Sequence, residues 1–146
     1  MESNQVDIIL IEDNKNDAEL AIRALRKGNL NNSLIHLKNG VEALELLFGS
    51  GKFEGKDIRN QPKLILLDLK MPKIDGFEVL TQIKANEVTK AIPVVILTSS
   101  KEPRDIKRAY SLGANSYIVK PVEFDEFSNV VTKLGRYWLL KNQPLI

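Results

Sequence analysis

No cysteine occurs anywhere in these 146 residues. That removes disulfides, thiolate nucleophiles and Cys-ligated zinc at once. Histidine is nearly absent too. The single copy, His36, lies in an apolar run apart from every polar cluster, so a partly buried structural side chain is expected there. Neither sign of charge dominates: 21 basic against 19 acidic residues leave +2, so neither nucleic acid nor an acidic membrane is expected as the main partner. No apolar run approaches the roughly 18 residues of a membrane span. The start, Met1 to Gln5, is polar and lacks a basic leader. A soluble cytoplasmic protein is therefore expected. There is no internal repeat and no low-complexity tract.

What is present is ordinary globular material, 43% hydrophobic and 27% charged, long enough to bury one core. A single domain is expected over 1–146, with its core at about 6–141 and no output domain. Short β-rich runs alternate with helical patterns, the mark of a parallel sheet covered on both faces. Strands are expected at about 6–11, 34–37, 64–68, 93–98 and 116–119. Helices are expected after Asn14-Lys15-Asn16, over 41–48, from Gly76, from Glu102-Pro103 to Gly113, and beyond Pro121. Gly28 is expected to stop the first helix. Phe124, Phe127, Val131, Leu134 and Trp138 form one stripe on the last. Residues 49–63, with three glycines, are longer than a usual connection and read as a tolerated surface insertion.

Chemistry-bearing residues stand at the ends of the strands. Glu12-Asp13 end the first, Asp68 the third, Thr98 the fourth and Lys120 the fifth. In a parallel sheet these ends face one crevice. Two carboxylates about 4 Å apart repel by roughly 1 kcal/mol in water, and by about 4 at an effective dielectric of 20. A hard cation such as Mg²⁺ relieves that repulsion through oxygen ligands. Each residue also has a plain alternative: adjacent acids cap a following helix, a terminal lysine is a solvated charge, and a threonine is a cap. Taken together, the set suits a metal and a phosphoryl group. Asp68 is the candidate nucleophile, able to hold phosphate as an acyl phosphate. Lys120 would supply positive charge and Thr98 a hydroxyl donor.

The segments Ile9-Leu10-Ile11-Glu12-Asp13-Asn14, Leu66-Leu67-Asp68-Leu69-Lys70-Met71-Pro72-Lys73-Ile74-Asp75-Gly76, Ile92-Pro93-Val94-Val95-Ile96-Leu97-Thr98-Ser99-Ser100 and Gly113-Ala114-Asn115-Ser116-Tyr117-Ile118-Val119-Lys120-Pro121 resemble the receiver domain of bacterial two-component response regulators. The resemblance covers nearly the whole chain. The 49–63 loop and the Tyr137-Trp138 end are similar to small receivers that serve bacterial phytochromes. The family implies a flavodoxin-like (βα)5 fold, a five-stranded parallel sheet of order 2-1-3-4-5. It implies phosphorylation of Asp68 by a sensor histidine kinase, here of phytochrome type, or by a phosphotransfer protein. It implies Mg²⁺ held by Glu12, Asp13, Asp68 and the backbone carbonyl of Lys70. Thr98 and Lys120 would contact the phosphoryl group, Tyr117 would be the aromatic switch, and the Lys120–Pro121 peptide would be cis. Lys70 and Ser100 occupy positions expected to tune phosphate lifetime.

The expected role is a signalling phosphoprotein rather than an enzyme, working through the surface of its fourth helix, fifth strand and fifth helix. Lys101, Arg104, Lys107 and Arg108 beside Glu123, Asp125 and Glu126 suit a homodimer. A Mg²⁺-dependent aspartyl-phosphate hydrolase is the alternative, but the first strand lacks that class's Asp-x-Asp pattern. An interaction scaffold without phosphorylation fits the complete residue set less well. A flavin site lacks a phosphate-cradling turn after the first strand.

Overall fold

The structure, a computed structural model, describes residues 7–27, 33–55, 62–71, 73–120 and 123–137, excepting the side chains of 127, 131 and 134–136. Five strands, β1 (Ile8–Ile11), β2 (Leu34–Leu37), β3 (Leu64–Leu67), β4 (Val94–Thr98) and β5 (Ser116–Val119), alternate with five α-helices. These are α1 (Lys15–Lys27), α2 (Gly40–Phe48), α3 (Gly76–Ala85), α4 (Pro103–Ser111) and α5 (Phe124–Arg136). All strand pairs are parallel, in the order β2-β1-β3-β4-β5. This is the expected flavodoxin-like topology.

Side-chain alternation along each strand divides the core into two layers. Ile9, Ile11, Ile65, Leu67, Val94 and Ile96 meet Leu46, Leu47, Phe77, Leu80 and Ile83 of α2 and α3 on one face. Ile8, Leu10, Leu64, Leu66, Val95 and Leu97 meet Ala18, Ala21, Ala24 and Leu25 of α1 on the other. β1, β3 and β4 are buried along their whole length, which explains why they read as unbroken apolar runs rather than alternating ones.

Local chemistry sets the helix ends. Asn39 caps α2 by accepting from the Glu42 N–H at 2.8 Å, and Asp75 caps α3 by accepting from Glu78 at 3.0 Å. α2 ends at Gly49 in the left-handed conformation, φ 64°. Gly113, φ 107°, follows α4, as expected. Within the insertion, Gly51–Phe53 form a short 3-10 turn, with Lys52 paired to Glu42 at 2.8 Å. Residues 56–61 lie outside the described set, as do Gly28 and Trp138. So do the inner side chains expected on the α5 stripe, apart from Phe124. The Arg23 guanidinium sits 5.0 Å over the Phe124 ring, linking α1 to α5. Among the described residues, no helix is long and apolar enough to cross a membrane.

Candidate functional site

The crevice opens where the strand order reverses, between the carboxyl ends of β1 and β3. Ladder bonds fix its walls. The Glu12 N–H donates to the Leu37 carbonyl at 3.0 Å, and the Asp68 N–H to the Ile11 carbonyl at 3.1 Å. The acids therefore project from the last rigid positions of the sheet. Oxygens of Glu12, Asp13 and Asp68 all lie within 4.8 Å of one another. Glu12 and Asp68 are buried and Asp13 is exposed, so the cluster has one wet side. The start of α3 presses on its floor. A Cβ on Gly76 would overlap the Asp68 carbonyl oxygen and lie 2.7 Å from Leu69 Cα. Only glycine allows the helix and the Asp68 loop to approach so closely.

Lys120 enters from β5. Its ammonium donates to Glu12 Oε1 at 2.7 Å and Asp17 Oδ2 at 2.8 Å, and stands 3.7 Å from Asp68 Oδ2. Burial pushes the Glu12 carboxyl up to about 8. The bond from Lys120 pulls it down, and the Asp68 charge adds to the rise. Burial lowers the Lys120 pKa, but the bonds to Asp17 and Glu12 and the charges of Asp68 and Glu12 outweigh it, leaving the amine raised. One partly buried cation is thus shared among several acids.

Thr98, fully buried, ends β4 beside Asp68's strand. Its hydroxyl oxygen accepts from the Ser100 N–H at 3.4 Å. Ser100 donates its own hydroxyl to Asp105 Oδ2 at 2.7 Å, and Lys70 reaches the same carboxylate at 3.5 Å. The Ser100 hydroxyl, then Lys70 and Arg104, hold the Asp105 carboxyl below its usual range. The Tyr117 hydroxyl donates to the Ser100 carbonyl at 2.9 Å, tying β5 to the β4–α4 connection. Burial raises the Tyr117 phenol.

The structure thus gathers Glu12, Asp13, Asp68 and Lys120, with Thr98 at the end of β4 and Tyr117 within β5. The Lys120–Pro121 bond lies outside the described residues. His36 is partly buried and structural, as expected, but it is not apart from the site: its Nε2 lies 2.9 Å from the Glu12 carbonyl oxygen, because β2 neighbours β1 in register, so it supports the backbone of the acid loop. Sequence reasoning missed Asp17 as a partner of Lys120. Its spacing from Asn14 reads as capping, and that bond also forms, Asp17 N–H to Asn14 Oδ1 at 2.9 Å. The Ser100–Asp105 bond left no signal beyond Asp105's place in the first turn of α4.

Fold and crevice together define an open α/β domain with an acid-and-amine site at its topological switch point. Residues 8–132 match the family described as the response regulator receiver domain, and the chain belongs to that family. It is 41% identical to the probable methanogenesis regulatory protein FilR2 of Methanothrix harundinacea, over 90% of this chain and 83% of that one. It is 38% identical to response regulator Rcp1 of Synechocystis sp., over 90% and 88%. The Mn²⁺-bound form of Rcp1 superposes with a TM-score of 0.85 at 36% identity, over 97% of this chain and 99% of that one. The phosphorylated cyanobacterial phytochrome response regulator RcpA superposes with a TM-score of 0.87 at 34% identity, over 97% and 99%. The family is a signalling domain of two-component systems.

Proposed function

We propose that the protein accepts a phosphoryl group on Asp68 from a phosphohistidine of a sensor kinase or phosphotransfer protein. The carrying observation is the buried Asp68 carboxylate within 4.8 Å of two further acids, with a lysine ammonium at 3.7 Å. A carboxylate oxygen of Asp68 forms the new P–O bond as the donor's P–N bond breaks, and its electron pair leaves with the imidazole nitrogen. Lys120 neutralises charge on the transferred group, and Thr98 offers a hydroxyl to one of its oxygens. The donor set, all oxygen with surplus negative charge, fits Mg²⁺ or Mn²⁺. Glu12, Asp13, Asp68 and the Lys70 carbonyl would hold it, and Rcp1, similar over most of its length, has been seen with Mn²⁺. When bound, the ion supplies the positive charge that lets an anionic donor approach.

The similarity to RcpA and Rcp1 supports a phytochrome-type kinase as donor. Output would pass through Tyr117 to α4, β5 and α5, where Lys101, Arg104 and Lys107 are exposed, as are Glu123, Asp125 and Glu126. A second copy, paired across a two-fold axis, suits those charges. Arg108 is less free than its sequence position implies: its guanidinium stacks 4.1 Å over Phe77. Charge reversal to probe dimerisation therefore belongs at Arg104 and Lys107.

Incubation with acetyl phosphate and Mg²⁺ is expected to give an acid-stable, base-labile label. Asp68→Asn should lower it at least about 100-fold, as loss of a nucleophile does, and EDTA should abolish it. Undiminished labelling of the variant would sink the assignment.

A further inference from the structure

Asp17 belongs to neither the acid cluster of the crevice nor the walls of the sheet. It stands in the first turn of α1, its backbone N–H held by Asn14, and its carboxylate reaches Lys120 Nζ at 2.8 Å. Of the three ammonium protons, one goes to Glu12 and one to Asp17. Asp68, at 3.7 Å, is beyond hydrogen-bond range. Lys120 is thus drawn toward α1 and away from the oxygen that would carry phosphate. Its side chain is 13% exposed and that of Asp17 35%, so the pair sits at the rim of the crevice, where one partner can be released to water.

We propose that Asp17 is the resting counter-ion of Lys120, a positioning residue whose hold on the amine must be given up before the site grips a phosphoryl group. Asp17 competes with the phosphoryl oxygens for one ammonium and thereby sets how tightly the site takes its ligand. This rests on Lys120 as the phosphate contact. A state that binds ligand only after a competing bond opens has its apparent affinity lowered by the population of the open form.

The test is titration with beryllofluoride at saturating Mg²⁺, followed by calorimetry on the full chain. Binding by the wild type checks the phosphoacceptor reading itself; no binding there overturns that reading, and this proposal with it. Given binding, Asp17→Asn is expected to tighten it about 5- to 10-fold, and Asp17→Glu to stay near wild type. Removing a negative charge also favours an anion through space, so the same change is made in Lys120→Met, where less than about 2-fold is expected. An independent arm reads the amine directly. Acetic anhydride labelling scored residue by residue should be several-fold faster at Lys120 in Asp17→Asn, with Lys84 unchanged as internal reference. The proposal is overturned by unchanged or weaker beryllofluoride binding in Asp17→Asn, by equal tightening without Lys120, or by unaltered labelling of Lys120.

Discussion

Lys120 and Lys84 lie at opposite ends of the same strands, and both amines are partly buried. Lys120, at the carboxyl end, is bonded to the carboxylates of Glu12 and Asp17. Lys84, on the last turn of α3, sits at the amino end. It donates to the Ile92 carbonyl at 2.8 Å, the Lys90 carbonyl at 3.0 Å and Asn115 Oδ1 at 3.3 Å. No carboxylate is among these bonds, and burial alone lowers its pKa. Asn115 also accepts from the Val94 N–H at 2.8 Å, so Lys84 fastens α3 to the starts of β4 and β5. A cation among neutral oxygens is a staple. A cation among surplus carboxylates is a charge that can be reassigned when a ligand arrives. One fold thus keeps a fixed end and a responsive end.

The largest expected effect breaks this symmetry with Mg²⁺. Removing one partner from a buried charge cluster costs about 3–5 kcal/mol, less where solvent reaches Asp17 and Asp13, so Lys120→Met should lose about 2–4 kcal/mol in EDTA. Millimolar Mg²⁺ should return most of it, because an ion bound only to the native state stabilises by mass action. Lys84→Met leaves acceptors without their donor and should lose about 1–3 kcal/mol, equally with and without Mg²⁺. Urea denaturation of the three proteins under both conditions measures this. A Mg²⁺-sensitive Lys84→Met, or an insensitive Lys120→Met, would erase the distinction.

The sheet was the legible part. Apolar runs bounded by turn residues marked all five strands to within a residue or two at their described ends, because burial on both faces leaves no other reading of Leu64–Leu67 or Val94–Leu97. The acids, Thr98 and Lys120 were legible as strand-end residues. The couplings among them were not. Asp17 to Lys120 spans 103 positions and His36 to Glu12 spans 24; such contacts exist only once the strand order is set. The Lys84 staple was illegible for the same reason, since a lysine on an amphipathic helix reads as solvated.

Glycine contacts sharpen the comparison at the next level. Gly76→Ala would drive a methyl into backbone, at the Asp68 carbonyl and Leu69 Cα, which cannot yield without moving the Asp68 loop. It should destabilise by about 2–3 kcal/mol, in the range of overpacking, and slow phosphorylation as well. Gly113→Ala meets the Lys84 stem, with Cγ at 2.8 Å, at a φ of 107°. It should cost about 1–3 kcal/mol of backbone strain and leave phosphorylation unchanged. Equal phosphorylation rates in the two variants would show that the floor under Asp68 is not set by Gly76.

The smallest expected effect is a rise in stability with pH that only the staple should produce. Lys84 has a folded pKa below its ordinary 10.5 because burial disfavours its charge. Between that lowered value and 10.5 the unfolded chain binds more protons than the native one, so stability contributed by Lys84 rises with pH. A tenfold loss of proton affinity on folding corresponds to about 1.4 kcal/mol. Subtracting the Lys84→Met profile from the wild-type profile removes titrations common to both, Tyr117 included. The difference should be flat near neutrality and move in favour of the wild type as pH approaches 10.5, since the neutral amine still donates to the Lys90 and Ile92 carbonyls. Lys120, whose pKa is raised, should give the opposite sign above 10.5: the stability it contributes is lost as pH climbs through the raised value. A difference profile for Lys84 that falls with pH would mean its amine is held as a cation, and the two ends of the sheet would then obey one rule.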